Sequence, residues 1–118
     1  MATDPPDCLF CRIVRGEIPA AKVYEDDLVL AFRDIAPRSP IHILVIPKQH
    51  IASVADLTEE DAQLLGRLFA ATARIARDEG IADAGYRLVS NVGRWGGQTV
   101  DHLHIHLMGG RAFEWPPG

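Results

Sequence analysis

The chain has 118 residues, and its composition of 47% hydrophobic and 24% charged residues is that of an ordinary soluble globular protein. That length predicts a single domain over residues 1–118, with room for one modest core. No run reaches the roughly 20 apolar residues of a membrane-spanning helix, and the net charge of −4 argues against a broad nucleic-acid surface. We therefore expect no membrane or nucleic-acid partner, whereas a small anionic ligand is compatible with this charge.

The first half of the chain predicts a short helix followed by three strands. A helical turn is predicted over residues 8–15. Residues 22–25 and 29–34 form a predicted hairpin, and the apolar run at residues 41–46 predicts a buried strand that Pro47 closes.

The second half adds one long helix and two further strands. Thr58 and Asp61 enclose a sequence typical of a capping box, with acidic residues in the first turn, where the helix dipole favours them. Residues at helical spacing then lead to a stop at Gly80; they include Leu65, Leu68, Thr72 and Ile75. Strands are predicted at residues 86–91 and 102–108. The sequence therefore predicts an α+β fold, a five-stranded antiparallel sheet with one long helix and a short N-terminal helix.

Histidine alternates with apolar residues in the last predicted strand. At the two-residue period of a strand, His102, His104 and His106 share one face, and the apolar residues between them share the other. Three neighbouring imidazoles are costly to place on a strand for stability alone, so the pattern indicates a functional cluster. The alternative is a polar outer face that happens to be built of histidine.

A glycine-rich loop at residues 91–100, here called the glycine loop, runs directly into this histidine segment. Glycine lets backbone N–H groups approach a ligand without obstruction by a Cβ atom, and Thr99 adds a hydroxyl group. The convergence of anion-binding donors and nucleophilic imidazoles predicts a phosphate site. Taken alone, the Gly-Gly pair of the loop is weak evidence for a ligand site, because such a pair usually marks a simple turn.

The sequence contains two cysteines, Cys8 and Cys11, separated by two residues. Such close spacing is typical of a metal site or of reduced thiols, rather than of the disulfide framework of a secreted protein. Both interpretations favour a cytoplasmic location, and the choice between them stays open at this point.

Together these features resemble the histidine triad superfamily, and in particular its nucleotide-binding branch of purine nucleoside phosphoramidases. The family motif is His-x-His-x-His-x-x with apolar x positions, and residues 102–108 match it without exception. The resemblance also includes, in chain order, residues 16–20, 24–27, 31–35, 42, 45–50, 91, 97–100, 109–111 and 115–118. It covers nearly the whole chain and implies one domain of this family.

The resemblance implies hydrolysis of the P–N bond of purine nucleoside phosphoramidates through a covalent nucleotidyl-histidine, without an organic cofactor. His104 corresponds to the nucleophile, and an imidazole suits this role because much of it is neutral near pH 7. A backbone carbonyl of the same strand is implied to hold its other ring nitrogen, and His106 is implied to hydrogen-bond the phosphate. His102 and Thr99 complete the implied catalytic set.

The resemblance also implies how a purine nucleotide is bound. Asp34 corresponds to the carboxylate that accepts hydrogen bonds from the ribose hydroxyls. The implied apolar slot for the base consists of Phe10, Ile13, Phe32 and Ile35, residues that are otherwise ordinary core. The implied phosphate contacts come from Asn91, Gly97, Gln98, Thr99, His104 and His106, with Gln98 and Thr99 on the oxygens or the leaving amine. Asn91 has the alternative role of capping the turn.

Relatives with a Cys-x-x-Cys pair at the position of Cys8 and Cys11 bind a structural zinc ion, and the resemblance implies the same site here. The implied ligands are Cys8, Cys11, His50 and His102, a set of two thiolates and two imidazoles that suits zinc. Two reduced thiols without a metal are the alternative. The implied zinc pins the N-terminal segment to the sheet and takes no part in catalysis.

Relatives are homodimers in which the C-terminal segment reaches the active site of the partner. The resemblance therefore implies a homodimer in which Trp115 and Trp95 shape the pocket of the leaving group. Two rival functions stay open. One is a zinc-dependent hydrolase that uses His42 as a further ligand, and the other is a module that binds purine nucleotides or partner proteins with little turnover.

Overall fold

The computed structural model describes Pro5 and residues 7–118, so residues 1–4 and 6 of the predicted domain lie outside the described part. The elements, in chain order, are α1 (Leu9–Val14), β1 (Lys22–Glu25), β2 (Val29–Arg33), β3 (Ile41–Pro47), two short 3₁₀ turns (Val54–Asp56 and Glu59–Asp61), α2 (Ala62–Asp78), β4 (Arg87–Val89) and β5 (Ile105–Gly109). Within the described residues, five strands form one antiparallel sheet in the order β1-β2-β3-β5-β4. The predicted α+β fold is confirmed. Among the described helices, none combines the length and the apolar character needed to cross a membrane.

The sheet separates two apolar layers. On one face, here called the helix face, α2 packs Leu68 against strand residues such as Ile43 and Leu107. On the opposite face, here called the site face, α1 places Phe10 against Phe32 and its neighbours. Because successive strand residues point to opposite faces, β2 and β3 bury apolar residues on both sides, which explains their continuous apolar runs.

The ends of α2 follow from local chemistry. Thr58 and Asp61 form the predicted capping box, in which the Asp61 carboxylate accepts the backbone N–H of Thr58 at 3.0 Å, and this box caps the 3₁₀ turn that leads into α2. At the other end, Gly80 adopts a φ of 75°, which glycine tolerates, and the N–H of Ile81 returns to the carbonyl of Ala76 at 3.1 Å. The predicted stop at Gly80 is therefore confirmed, whereas the predicted first turn is a 3₁₀ turn and α2 itself begins at Ala62.

The strand predicted at residues 102–108 is wrong in its first half, because β5 begins only at Ile105. In the observed register Val45 lies opposite Ile105, so a longer ladder would place Leu103 opposite Pro47, which has no N–H to donate. The N–H of Leu103 instead donates to the carbonyl of Ile51 at 2.6 Å. The alternation of faces persists through this irregular segment, since its apolar residues belong to the core of the helix face.

The predicted strand at residues 86–91 is also longer than the observed β4, which has three residues. Beyond Val89 the backbone pairing gives way to a side chain, since Ser90 Oγ donates to the carbonyl of His104 at 3.1 Å. The boundaries predicted for α1, β1, β2 and β3 agree with the structure to within one residue.

Leu68→Ala is predicted to lower the free energy of unfolding by about 2–5 kcal/mol, because the side chain is 1% exposed and its loss leaves a cavity between α2 and the sheet. Urea denaturation measures this change. Gln63→Ala, at an exposed position of the same helix, is the matched control and should change stability little. Equal stability of the two variants would contradict the assigned packing of α2.

Candidate active site and metal centre

An apolar cavity of about 280 Å³ opens on the site face of the sheet. Its wall includes Phe10 and Phe32, whose rings meet edge to face with their centroids 5.4 Å apart. The predicted slot residues Phe10, Ile13, Phe32 and Ile35 all line this cavity, and so do the polar residues Asp34, Thr99, His104 and His106. Ile35 stands at the rim, with a fully exposed side chain. The cavity thus joins an apolar slot to a polar rim, the arrangement that suits a flat ring with a polar substituent.

His104 has a defined tautomer. Its Nδ1 lies 2.7 Å from the carbonyl oxygen of His102, and because a carbonyl only accepts, Nδ1 carries the proton. Nε2 therefore holds the lone pair, in a side chain that is 4% exposed and lines the cavity. Phe10 packs edge-on against the imidazole at 5.2 Å between centroids. This is the state in which an imidazole can act as a nucleophile without a further base.

His42 and His106 form a directed hydrogen-bond chain that the sequence does not reveal. The backbone N–H of Arg38 donates to His42 Nδ1 at 3.0 Å, so the proton of a neutral His42 lies on Nε2. His42 Nε2 lies 2.9 Å from His106 Nδ1 and donates to it. His106 in turn carries its proton on Nε2, where it serves as a donor. The sequence signal for it was that His42 and Leu44 are two residues apart and therefore share a face of β3, and Leu44 lies opposite His106 in the sheet.

Burial keeps this pair neutral. The pKa of His106 is lowered to about 4, mainly by desolvation and also by the neighbouring His104 and His42, while Asp34 opposes the shift. Desolvation also lowers the pKa of His42, again against the opposing charge of Asp34. His106 is therefore a neutral N–H donor near pH 7, and a phosphate oxygen is a suitable acceptor for it.

Asp34 directly follows β2 and lies at the rim of the cavity. One carboxylate oxygen accepts the N–H of Ala36 at 2.8 Å, and the other lies 3.5 Å from His42 Nε2. The side chain is partly exposed and has acceptor capacity left for a ligand. A group bound in the cavity is therefore within reach of both the Asp34 carboxylate and the hydrogen-bond chain of His42 and His106.

In the glycine loop, three of the residues predicted to contact phosphate, Asn91, Gly97 and Gln98, bond backbone groups and do not line the cavity. Gln98 and Asn91 direct their side-chain amides at backbone groups, Gln98 at the carbonyls of Ala52 and Val100, and Asn91 at that of Gly96. The N–H of Gly97 is used in a turn, at 3.1 Å from the carbonyl of Arg94. Of the residues predicted to contact phosphate from this loop, Thr99 is the one that lines the cavity. Trp95 lies in the same loop and is 95% exposed.

A second cluster lies behind the histidine segment. Cys8, Cys11, His50 and His102 place one ligand atom each within 4.8 Å of one another. The Sγ atoms of Cys8 and Cys11 are 3.4 and 3.5 Å from His102 Nδ1, and His50 Nδ1 is 3.2 Å from both Cys11 Sγ and His102 Nδ1. His102 Nε2 donates to the carbonyl of Pro47 at 2.8 Å, so Nδ1 is the unprotonated nitrogen. The ligand lone pairs thus converge as a metal ion requires.

The ligand atoms of Asp34, His42 and His106 also lie within 4.8 Å of one another, but the protons of these histidines are placed differently. His42 Nδ1 already accepts the N–H of Arg38, and His42 Nε2 carries a proton that points at His106. A metal ion there would have to displace that proton. The cysteine cluster is therefore the candidate metal centre, and the cluster at the cavity is a hydrogen-bond chain.

Comparison with known proteins shows the family. Residues 15–113 match the HIT domain family. The chain is 53% identical over 105 residues to the purine nucleoside phosphoramidase of Escherichia coli strain K12, which covers 89% of this chain and 88% of that protein. It is 59% identical over 112 residues to a HIT-like protein of Synechococcus elongatus, covering 95% and 97% of the two chains. A HIT family hydrolase from Legionella pneumophila has a TM-score of 0.93 at 52% identity, over 95% of this chain and 100% of that one. The chain belongs to the HIT domain family, and the resemblance inferred from its sequence is confirmed.

Stability is predicted to fall as the pH is lowered from about 6.5 towards 4, in part through His106. Its pKa is lowered from 6.5 to about 4 in the folded state, so in this range the unfolded chain binds a proton that the folded chain does not. Urea denaturation at several pH values, for the wild type and His106→Gln, measures this contribution. The variant should lose less stability on acidification, and parallel pH profiles of the two proteins would contradict the assigned pKa.

Proposed function

We propose that the protein hydrolyses the P–N bond of purine nucleoside 5′-phosphoramidates of the AMP-amine and AMP-lysine type, and the P–O bond of acyl-adenylates through the same intermediate. The observation that carries this proposal is the tautomer of His104, whose Nδ1 is held by the carbonyl of His102 while Nε2 keeps its lone pair at a ligand-sized cavity. The similarity to the purine nucleoside phosphoramidase of E. coli supports the same reaction class.

The nucleotide is proposed to bind with its base in the apolar slot and its ribose at Asp34. The slot offers shape and apolar contact, which favours purines and discriminates only weakly between adenine and guanine. The carboxylate of Asp34 accepts from two vicinal hydroxyls. The α-phosphate then lies near Thr99, His104 and His106, which share the rim of the cavity with Asp34.

In the proposed first step, His104 Nε2 attacks the phosphorus, a nucleotidyl-histidine bond forms and the P–N bond to the amine breaks. The departing nitrogen takes up one proton from solvent and leaves as the amine. The Nε2–H of His106 donates to a phosphate oxygen, and its orientation is supported by the hydrogen bond from His42. In the second step water attacks the phosphorus and gives up one proton to solvent, the bond to His104 breaks with its electron pair returning to Nε2, and the nucleoside monophosphate is released. The reaction needs no organic cofactor.

His104→Ala is predicted to lower the turnover of an adenosine phosphoramidate by roughly 10³-fold or more, because the variant cannot form the covalent intermediate. AMP affinity, measured by calorimetry, should stay close to that of the wild type, since the slot and Asp34 are untouched. A mass spectrum of wild-type enzyme quenched during turnover should contain the nucleotidyl adduct, and the variant should not.

Other outcomes would contradict this function. Wild type that binds AMP without turnover would indicate a nucleotide-binding module. Turnover that a chelator abolishes while His104→Ala retains it would indicate a zinc-dependent hydrolase.

We further propose that the cysteine cluster holds a structural zinc ion through Cys8, Cys11, His50 and His102. The donor set and the unprotonated Nδ1 of His102 support this metal. When bound, zinc supplies a cross-link between the start of α1, the segment after β3 and the catalytic segment. The thiols need a reducing environment, which supports a cytoplasmic location.

Metal analysis of protein purified without added zinc should find about one zinc ion per chain. Cys8→Ser should lose the metal and lower the melting temperature by about 5 °C or more, because a link between distant segments is lost. Ser90→Ala, near β5 but outside the cluster, is the control and should retain the metal. Metal-free wild type, or a Cys8→Ser variant of unchanged stability, would favour two reduced thiols.

We also propose that the protein is a homodimer whose C-terminal segment reaches the site of the partner subunit. Within each chain, Arg87 donates to the carbonyl of Glu114 at 2.6 Å, and the guanidinium of Arg111 stacks on Phe113 at 4.2 Å. The segment is thereby held up to Glu114, while Trp115 is 84% exposed. An exposed tryptophan on a held segment is suited to packing against another chain.

Light scattering at micromolar concentration should give twice the chain mass of 13.0 kDa. Trp115→Ala should change the ratio of kcat/KM between two phosphoramidates with different amines by roughly fivefold, equivalent to about 1 kcal/mol, because an aromatic contact with the leaving group is lost. AMP affinity should be unaffected. A monomer in solution, or an unaltered leaving-group profile, would contradict the proposed arrangement.

A further inference from the structure

The side chain of Gln98 is committed to the backbone at both of its ends. Its Oε1 accepts the N–H of Gly93 at 3.0 Å, and its Nε2 donates to the carbonyls of Ala52 at 2.7 Å and Val100 at 3.0 Å. Both amide protons are thus used. A donor with two carbonyl partners at these distances has none left for a phosphate oxygen or a leaving amine.

The contact with Ala52 ties the glycine loop to a segment that also supports the rest of the site. In this segment, His50 belongs to the candidate metal centre, and the carbonyl of Ile51 accepts the N–H of Leu103 at the start of the histidine segment. The carbonyl of Ala52, the next residue, holds Gln98. Three consecutive residues therefore connect the metal centre, the histidine segment and the glycine loop.

The other hydrogen bonds of the loop lie within the loop. Asn91 Nδ2 donates to the carbonyl of Gly96 at 2.7 Å, and the N–H of Gly97 donates to that of Arg94 at 3.1 Å. Residues 92–97 are exposed. The loop is therefore held in its own shape by these bonds, whereas Gln98 supplies the hydrogen bond that ties it to the segment after β3.

We propose that Gln98 is a positioning residue, which sets the place of the adjacent Thr99 relative to His104 and makes no contact with the leaving group. The inference rests on the proposed phosphoramidase function and assigns Gln98 a role different from the direct ligand that the sequence predicted. Reaction rate is sensitive to such placement, because a displacement of about 1 Å at a catalytic group can cost roughly 10²-fold in rate.

Gln98→Ala is expected to lower kcat by about 10- to 100-fold while KM changes little, since the base slot and Asp34 are not altered. The decisive measurement is the dependence on the leaving group, with a set of adenosine phosphoramidates whose amines differ in size and basicity. A positioning residue predicts the same fractional loss for every amine. A loss that varies with the amine would indicate direct contact and overturn the proposal.

Gln63→Ala, the same substitution on the exposed side of α2, is the matched control and should leave kcat and KM unchanged. Gln98→Glu tests the role of the amide nitrogen separately from that of the amide oxygen. It keeps an acceptor for the N–H of Gly93 but faces the carbonyls of Ala52 and Val100 with a carboxylate, so it should fail to restore kcat. Full activity of this variant would overturn the anchoring role of Nε2.

A measurement without substrate tests the anchor independently of the proposed function. Heteronuclear NOE values of residues 92–97 report motion on the picosecond-to-nanosecond timescale. They should fall in Gln98→Ala and stay at wild-type values in Gln63→Ala. Unchanged values in Gln98→Ala would overturn the inference even if activity falls. Failure of the wild type to hydrolyse any phosphoramidate would refute the proposed function. The NOE values would then still test whether Gln98 holds the loop.

Discussion

The candidate active site depends above all on one hydrogen bond, from Nδ1 of His104 to the carbonyl oxygen of His102. Because the acceptor is a backbone carbonyl, it cannot exchange roles with the imidazole, and the lone pair of His104 is confined to Nε2. The carbonyl is itself held in place, since the His102 side chain is completely buried and bonded to Pro47. A reactive nitrogen is thereby oriented by the backbone of the segment that carries it.

Backbone groups also decide which of the buried histidines suits a metal ion and which suits a proton chain. The carbonyl of Pro47 takes the Nε2 proton of His102 and leaves Nδ1 for the cysteine cluster. The N–H of Arg38 occupies Nδ1 of His42 and leaves its Nε2 proton for His106. Two histidine clusters on one side of a sheet therefore acquire different chemistry, although the residue type is the same.

Pro47 has two structural effects at this site. Because Pro47 has no N–H, the hydrogen-bond ladder between β3 and β5 ends at Ile105. The residues that precede Ile105, among them His102, therefore form an irregular segment. The carbonyl of Pro47 then receives the proton of that histidine. The departure from regular strand geometry brings His102 to the cysteines while His106 remains in the ladder, opposite Leu44. The triad is therefore divided between two sites.

The sequence by itself determined the order of the elements, the capping box at the turn before α2 and the shared face of the three histidines, because these depend on residues close together in the chain. It also indicated the residues of the metal cluster, through a resemblance that extends over most of the chain. Only the tertiary structure decided that Gln98 turns to Ala52, that His42 bonds His106 and that β5 starts at Ile105. Each of these depends on a partner far along the chain, 46 residues away for Gln98 and 64 for His42, and local sequence patterns carry no information about such pairings.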